Sequence, residues 1–193
     1  MIFNSKKTLS ERIFSIALCG LFAALTAVGA QIALSTPGGV NFTLQLFVIA
    51  LYSFAMSVPD ALKTTAAYIA LGAVGLPVFT GFSGGPGVLA GPTGGFIWGF
   101  FLFALLCSVR PRRESKIAKL ALAFSGVALC HATGAAQYSL YKGCAFTEGL
   151  LLVSAPFILK DLALTFVAFG ASVPLQAALK RAKSAVTKQR ASQ

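Results

Sequence analysis

Acidic residues are scarce in this chain: five Asp and Glu against sixteen Lys and Arg in 193 residues, with only 11% of all positions charged. So little charge cannot cover the surface of an ordinary water-soluble domain. Histidine occurs once, and Cys19, Cys107, Cys130 and Cys144 show neither close pairing nor metal-ligand spacing. A disulfide framework and a metal cluster are therefore not expected, and three of the thiols sit in apolar runs as small buried side chains. Glycine is plentiful, yet no Gly-Lys-Ser or Gly-Lys-Thr follows any glycine cluster, so a Walker-type phosphate loop is absent. No Ser-His-Asp set or acid pair stands out, and an enzyme is not expected. The length suits one membrane domain and leaves no room for an ATPase.

What is present is apolar. Hydrophobic residues make up 56% of the chain, seventeen of them phenylalanine, and the mean hydropathy is +0.80. The formal charge of +11 raises the question of nucleic acid. The basic residues, however, cluster at the N-terminus, from Arg110 to Lys119 and at the C-terminus, between long apolar runs. That is the pattern of loops beside membrane spans, not of a basic face on a soluble fold. The N-terminal apolar run is too long for a signal-peptide core and is expected to be a retained span.

The pattern predicts an all-α membrane protein of six transmembrane helices in a compact bundle, one substrate-binding domain over 1–193 with cytoplasmic tails at 1–12 and 181–193. The expected spans are Ile13–Leu34, Phe42–Val58, Pro59–Val74, Gly94–Val109, Leu120–Leu140 and Phe157–Leu179. Pro37-Gly38-Gly39 breaks the chain after the first, and Pro156 divides the last apolar run, leaving a short helix over Glu148–Ala155. Between the third and fourth spans lies Gly75–Phe100, GLPVFTGFSGGPGVLAGPTGGFIWGF, too rich in Gly and Pro for one helix and too apolar for a wet linker. It reads as an ordered loop packed into the bundle, serving either a ligand site or close helix packing; at membrane depth such backbone survives only where protein or a polar cavity surrounds it. Six spans put both termini and fourteen of the sixteen Lys and Arg on one side, which the positive-inside rule makes cytoplasmic. The glycine-rich loop is then external.

This topology gathers Gln45, the His131–Gln137 segment, Lys160 and Asp161 at the outward end, where a small amphiphilic ligand would bind. Asp161 is the leading candidate, because a carboxylate in a span is costly without a partner or a polar cavity; the plainer role is a hydrogen bond to Thr133 or Gln137. Adjacent side chains on a helix do not face one another, so a Lys160–Asp161 ion pair is not expected, and Lys160 either meets a ligand carboxylate or extends outward to water. His131 has no second ligand at metal spacing and reads as a packed or hydrogen-bonded histidine. On the first span, Ala17-Gly20-Ala24 and Ala23-Ala27-Ala30 form a small-residue flank, for internal packing or for a partner membrane subunit.

At four places the chain resembles the BioY family, the biotin-specific substrate-binding subunits of energy-coupling factor transporters. These are Asn41-Phe42-Thr43-Leu44-Gln45, GAVGLPVF over Gly72–Phe79, the GPTGGF block within Gly84–Phe100, and PFILKD over Pro156–Asp161. The resemblance implies a six-helix bundle with biotin bound under the external loops, in a bacterial cytoplasmic membrane. Its partners would be a transmembrane coupling protein and two cytoplasmic ATPases, with Ala23 and Ala27 on the surface shown to the coupling protein. Biotin would be substrate, with no cofactor. Asp161 would accept from the ureido N–H groups, Gln45 or Gln137 would donate to the ureido carbonyl, Thr93, Gly94 and Gly95 would shape the loop, and Phe79, Phe82 and Tyr138 would pack on the rings. One departure stands out. The family pattern continues from Asp through two apolar residues to Lys, and here that position is Leu164 while Lys160 precedes Asp161. Either Lys160 or another base faces the carboxylate, or that end of the ligand is held differently. Phe96 also stands where tyrosine is common. The competing readings are a stand-alone secondary transporter, though no internal repeat is visible, and a membrane scaffold subunit without a small ligand.

Overall fold

The computed structural model describes residues 9–34, 41–111 and 115–191, with Leu34 and 187–191 described by backbone only. The first eight residues, most of the Ser35–Asn41 turn and Arg112–Glu114, all assigned to loops or tails above, lie outside the described residues. The elements in chain order are α1 (Leu9–Gln31), β1 (Ala33–Leu34), β2 (Phe42–Thr43), α2 (Gln45–Ala55), α3 (Val58–Ala73), α4 (Pro86–Ala90), α5 (Gly94–Ser108), α6 (Lys116–Lys142), α7 (Phe146–Val153) and α8 (Ala155–Ala191). β1 and β2 form a two-residue antiparallel pair, Ala33 opposite Thr43 and Leu34 opposite Phe42. The rest is a helical bundle.

Among the described residues, three helices, α1, α6 and α8, are long and apolar enough to cross a membrane. α2, α3 and α5 have 11, 16 and 15 residues, reaching about 17, 24 and 22 Å at about 1.5 Å per residue. No residue of α2 is exposed, and its apolar side chains point all round, as in a helix enclosed by other helices. The surface is apolar as well as the core, unlike that of a soluble protein. Ile13, Ile16, Leu21, Val28, Leu159, Phe166 and Val173 are exposed, whereas Thr26, Thr64, Thr65 and Thr165 are fully buried. Each of these four threonine hydroxyls donates to the carbonyl four residues back and so is satisfied within its own helix.

Several boundaries differ from the sequence expectation for local reasons. The first helix stops at Gln31, because Ala33–Leu34 is drawn into the strand pair. Ser57 caps α3 by accepting from the Asp60 N–H at 3.4 Å, with Pro59 in the first turn. Ser154 separates α7 from α8 beside Pro156, as that proline requires. α8 then continues through the residues expected to be a C-terminal tail, in a stretch rich in Ala, Lys, Arg and Gln that favours helix. On α1, Ala23 and Ala27, expected to face a coupling protein, lie on the packed side of the helix. Ala23 is 2% exposed in the core and Ala27 packs against it, whereas Ala17, Gly20 and Ala24 are exposed. The two runs of small residues lie on adjacent faces of one helix, and the bundle covers the Ala23 face.

The closest packing is between α5 and α6. A Cβ on Gly95 would collide with the Thr133 carbonyl, and one on Gly99 with Cys130 and the Thr133 hydroxyl. Small residues let helix backbones meet in lipid. Gly95→Leu is expected to destabilise the fold by about 1–3 kcal/mol or more, read as a drop of several degrees in the detergent melting curve. Gly20→Ala, where nothing lies within 4 Å, is expected to leave that curve unchanged or raise it.

Candidate functional site

At one end of the bundle, a cavity of about 200 Å³ is enclosed by the strand pair, the glycine-rich segment and the starts of α5 and α8. Its aromatic walls are Phe79, Phe96, Phe100 and Phe157, with Val88, Ile97 and Val153. Its polar lining comes from Asn41, Thr43, Gln45, Thr80, Ser83, Thr93, His131, Lys160 and Asp161. A larger, more open groove of about 490 Å³ lies between the opposite ends of α1, α3 and α8, lined by Glu11, Asp60, Arg110, Lys180 and Lys183 among others. That groove lacks the enclosing aromatic walls.

Asp161 is the electrostatic centre of the cavity. The residue is 4% exposed, and its Oδ2 lies 3.1 Å from His131 Nε2 while Oδ1 lies 2.8 Å from the Lys160 ammonium. An isolated buried carboxylate would be strongly disfavoured, and here α6 and α8 each supply a partner. With Nε2 donating, His131 Nδ1 is left as a buried acceptor that no described residue meets. Lys160 also donates to the Thr43 carbonyl at 3.1 Å and lies 5.1 Å from the Phe42 ring centre. The expectation against a Lys160–Asp161 pair is therefore corrected. Neighbours on a helix point about 100° apart, but the four-carbon lysine stem is long enough to fold back once β2 holds its tip.

Neighbouring packing fixes this cluster. The His131 carbonyl accepts from Ser154 Oγ at 3.3 Å, and the Ser154 carbonyl accepts from the Phe157 and Ile158 N–H groups that open α8. Gly134 leaves room for the Phe96 ring, which stands edge-on to the imidazole with centres 5.7 Å apart. On the other wall, Gln45 Nε2 donates to the Tyr68 hydroxyl at 2.6 Å, while its carbonyl accepts from Thr43 and Thr80 at 3.0 and 3.2 Å. Tyr68 in turn donates to the Val78 carbonyl and packs edge-on to Phe79.

Of the residues singled out in the sequence, the cavity brings together Gln45, Phe79, Thr93, Lys160 and Asp161. It also brings in His131 and Phe96, but not Gln137, Gly94, Gly95, Phe82 or Tyr138. Gln137 commits its amide hydrogens to the Leu89 and Gly91 carbonyls, at 2.8 and 2.7 Å, and so fastens α4 to α6. Gly94 and Gly95 are buried where α5 meets Leu89 and α6, Phe82 is 73% exposed, and Tyr138 lies on α6 outside the lining. Thr133 bonds to its own helix and Gln137 to α4, so the Asp161 partner is His131. The sequence reading missed the pairing of His131 with Asp161 and the walls supplied by Phe96 and Phe157. Both phenylalanines sit inside motifs quoted above, so position within a motif was the available signal.

His131→Leu is expected to leave Asp161 Oδ2 buried without a donor, a cost of about 1–3 kcal/mol. Thermal unfolding in detergent checks this, with a milder loss for Lys160→Met, whose ammonium is closer to water.

The BioY family model matches residues 4–181. The biotin transporter BioY of Thermotoga maritima is 38% identical over 123 residues, covering 63% of this chain and 72% of that protein. The probable biotin transporter BioY of Pyrococcus horikoshii is 33% identical over 147 residues, covering 76% and 86%. A crystal structure of the S-component for biotin from an ECF-type ABC transporter superposes with a TM-score of 0.72 at 19% identity, covering 84% of this chain and 93% of that one, which establishes a shared fold.

Proposed function

The chain belongs to the BioY family, and from that premise we propose that it binds biotin and serves as the substrate-specific subunit of an ATP-driven energy-coupling factor importer. The observation that carries this reading is the family match over residues 4–181, to which the cavity adds a chemically suitable site. The chain is a transport subunit and not an enzyme; biotin is its substrate. A transmembrane coupling protein and two ATPase subunits supply the energy, and the chain lies in a bacterial cytoplasmic membrane as one domain over 1–193.

In this reading α1, α2, α3, α5, α6 and α8 are the six spans, both termini are cytoplasmic, and the hairpin that follows α3 is external. The distribution of basic residues supports that orientation. The short α2 can serve as a span because its neighbours cover it on all sides and it need not meet lipid.

Biotin has a ureido ring with two N–H donors and one carbonyl, an apolar thioether ring and a carboxylate tail. Asp161 accepts from the ureido N–H groups, and the second Gln45 amide hydrogen, not used by Tyr68, donates to the carbonyl. Phe79, Phe96 and Phe157 flank the rings. Lys160, paired with Asp161 at 2.8 Å, stays at the ureido end of the cavity, and the carboxylate end is held differently from the family pattern, whose lysine position is Leu164. Gln137, Gly94 and Gly95 act behind the cavity by holding the α4–α5 segment against α6.

Calorimetry on the detergent-purified chain is expected to show one saturable biotin site, with desthiobiotin and lipoate as comparisons. Asp161→Asn is expected to weaken binding about ten- to a hundredfold, from about 1.5–3 kcal/mol for a hydrogen bond to a charged group. Unchanged affinity in a folded variant rejects the role given to Asp161, and no binding by the unaltered chain rejects biotin. In reconstituted vesicles, uptake is expected only when ATPase partners and ATP are present. Uptake without them would favour a secondary transporter.

A further inference from the structure

Gln31 is the last residue of α1 and does not line the cavity, yet its amide is committed to the hairpin that does. Its Nε2 donates to the Phe79 carbonyl at 3.0 Å, and its Oε1 accepts the Phe82 N–H at 2.9 Å. Phe79, Thr80 and Ser83 of that hairpin form part of the cavity wall.

The hairpin has a fixed base and a tethered tip. At the base, the Phe79 ring rests on Gly72, where any Cβ would collide with it, and Gly85 N–H donates to the Gly72 carbonyl at 2.7 Å. At the tip, Gly81 and Phe82 both have left-handed backbones, with φ of 69° and 54°. Such a conformation is unfavourable for an aromatic residue and persists only where the surroundings hold it. Burial does not hold Phe82, which is 73% exposed. The side-chain bonds that tie the tip to the helices are those from Gln31 and the Thr80 hydroxyl to Gln45 at 3.2 Å.

We propose that Gln31 is a latch, a positioning residue that holds the hairpin tip closed over the cavity and sets how fast a bound ligand leaves. The side-chain amide matches the Phe82 N–H at the tip and the Phe79 carbonyl at the base, so α1 is fastened to the hairpin at two points.

Residue-resolved hydrogen–deuterium exchange on the full chain in detergent, without ligand, tests the latch directly. Gln31→Met keeps the side-chain volume and removes both bonds. It is expected to speed exchange of the Ser83 amide, which donates to the Phe79 carbonyl at 3.3 Å, about five- to thirtyfold, given about 1 kcal/mol for each of the two bonds removed, while Gly85, bonded to α3, stays protected. Unchanged protection at Ser83 overturns the proposal, as does equal loss at Ser83 and Gly85, which marks general loosening. The consequence for ligand release rests on the biotin reading above. Biotin dissociation from Gln31→Met is expected to be about tenfold faster with little change in association. Equal dissociation from Gln31→Met and the unaltered chain overturns the latch. If the unaltered chain binds no biotin, the substrate reading falls and the exchange result still decides the latch.

Discussion

A carboxylate buried among apolar helices has to be neutralised where it stands, and much of the geometry around the cavity follows from that requirement at Asp161. One oxygen takes the imidazole of α6 and the other takes an ammonium from its own helix. The ammonium is held in turn by a carbonyl of β2. Three chain segments far apart in sequence are thereby brought to one point. The Ser154 hydroxyl ties the backbone of His131 to the α7–α8 junction, so the residue that turns the chain into α8 also helps to place its charge.

Glycine supplies the complementary constraint. At Gly95, Gly99 and Gly134 a side chain would strike the opposing helix or the Phe96 ring, so their absence of bulk sets how closely α5 lies on α6. That spacing stands His131 against Phe96 and closes one wall of the cavity. The opposite wall depends on Gly72, whose bare surface seats Phe79. The same residue type thus performs tight packing in the helices and, at Gly81 and Gly85, backbone turning in the loop. Within the glycine-rich segment, close packing at Gly95 and Gly99 stands beside backbone turning at Gly81 and Gly85.

Legibility from sequence followed the range of the interaction. Long apolar runs, the division at Pro156 and the unusual acid at Asp161 could be read because each is a local property: hydropathy, a missing N–H, the cost of an unpartnered charge. Gln137 and Phe82 could not be placed so easily. A buried amide looks the same in sequence whether its donors face a ligand or, as here, the Leu89 and Gly91 carbonyls. An aromatic next to a glycine gives no sign that its backbone is left-handed and its ring points outward. On α1 the small residues read as one flank, and only packing separated the buried Ala23 from the exposed Ala24.

By itself the sequence determined that this is a basic, apolar, helical membrane chain, where its breaks fall, and through its motifs which family it belongs to. Composition and periodicity act residue by residue, and no folding is needed to read them. Tertiary structure decided which polar groups meet: His131 with Asp161, Lys160 with both Asp161 and Thr43, and Gln31 with the hairpin tip. Those contacts depend on the reach of a side chain across a gap whose width is set by the packing of other residues, and nothing local to either partner records that distance.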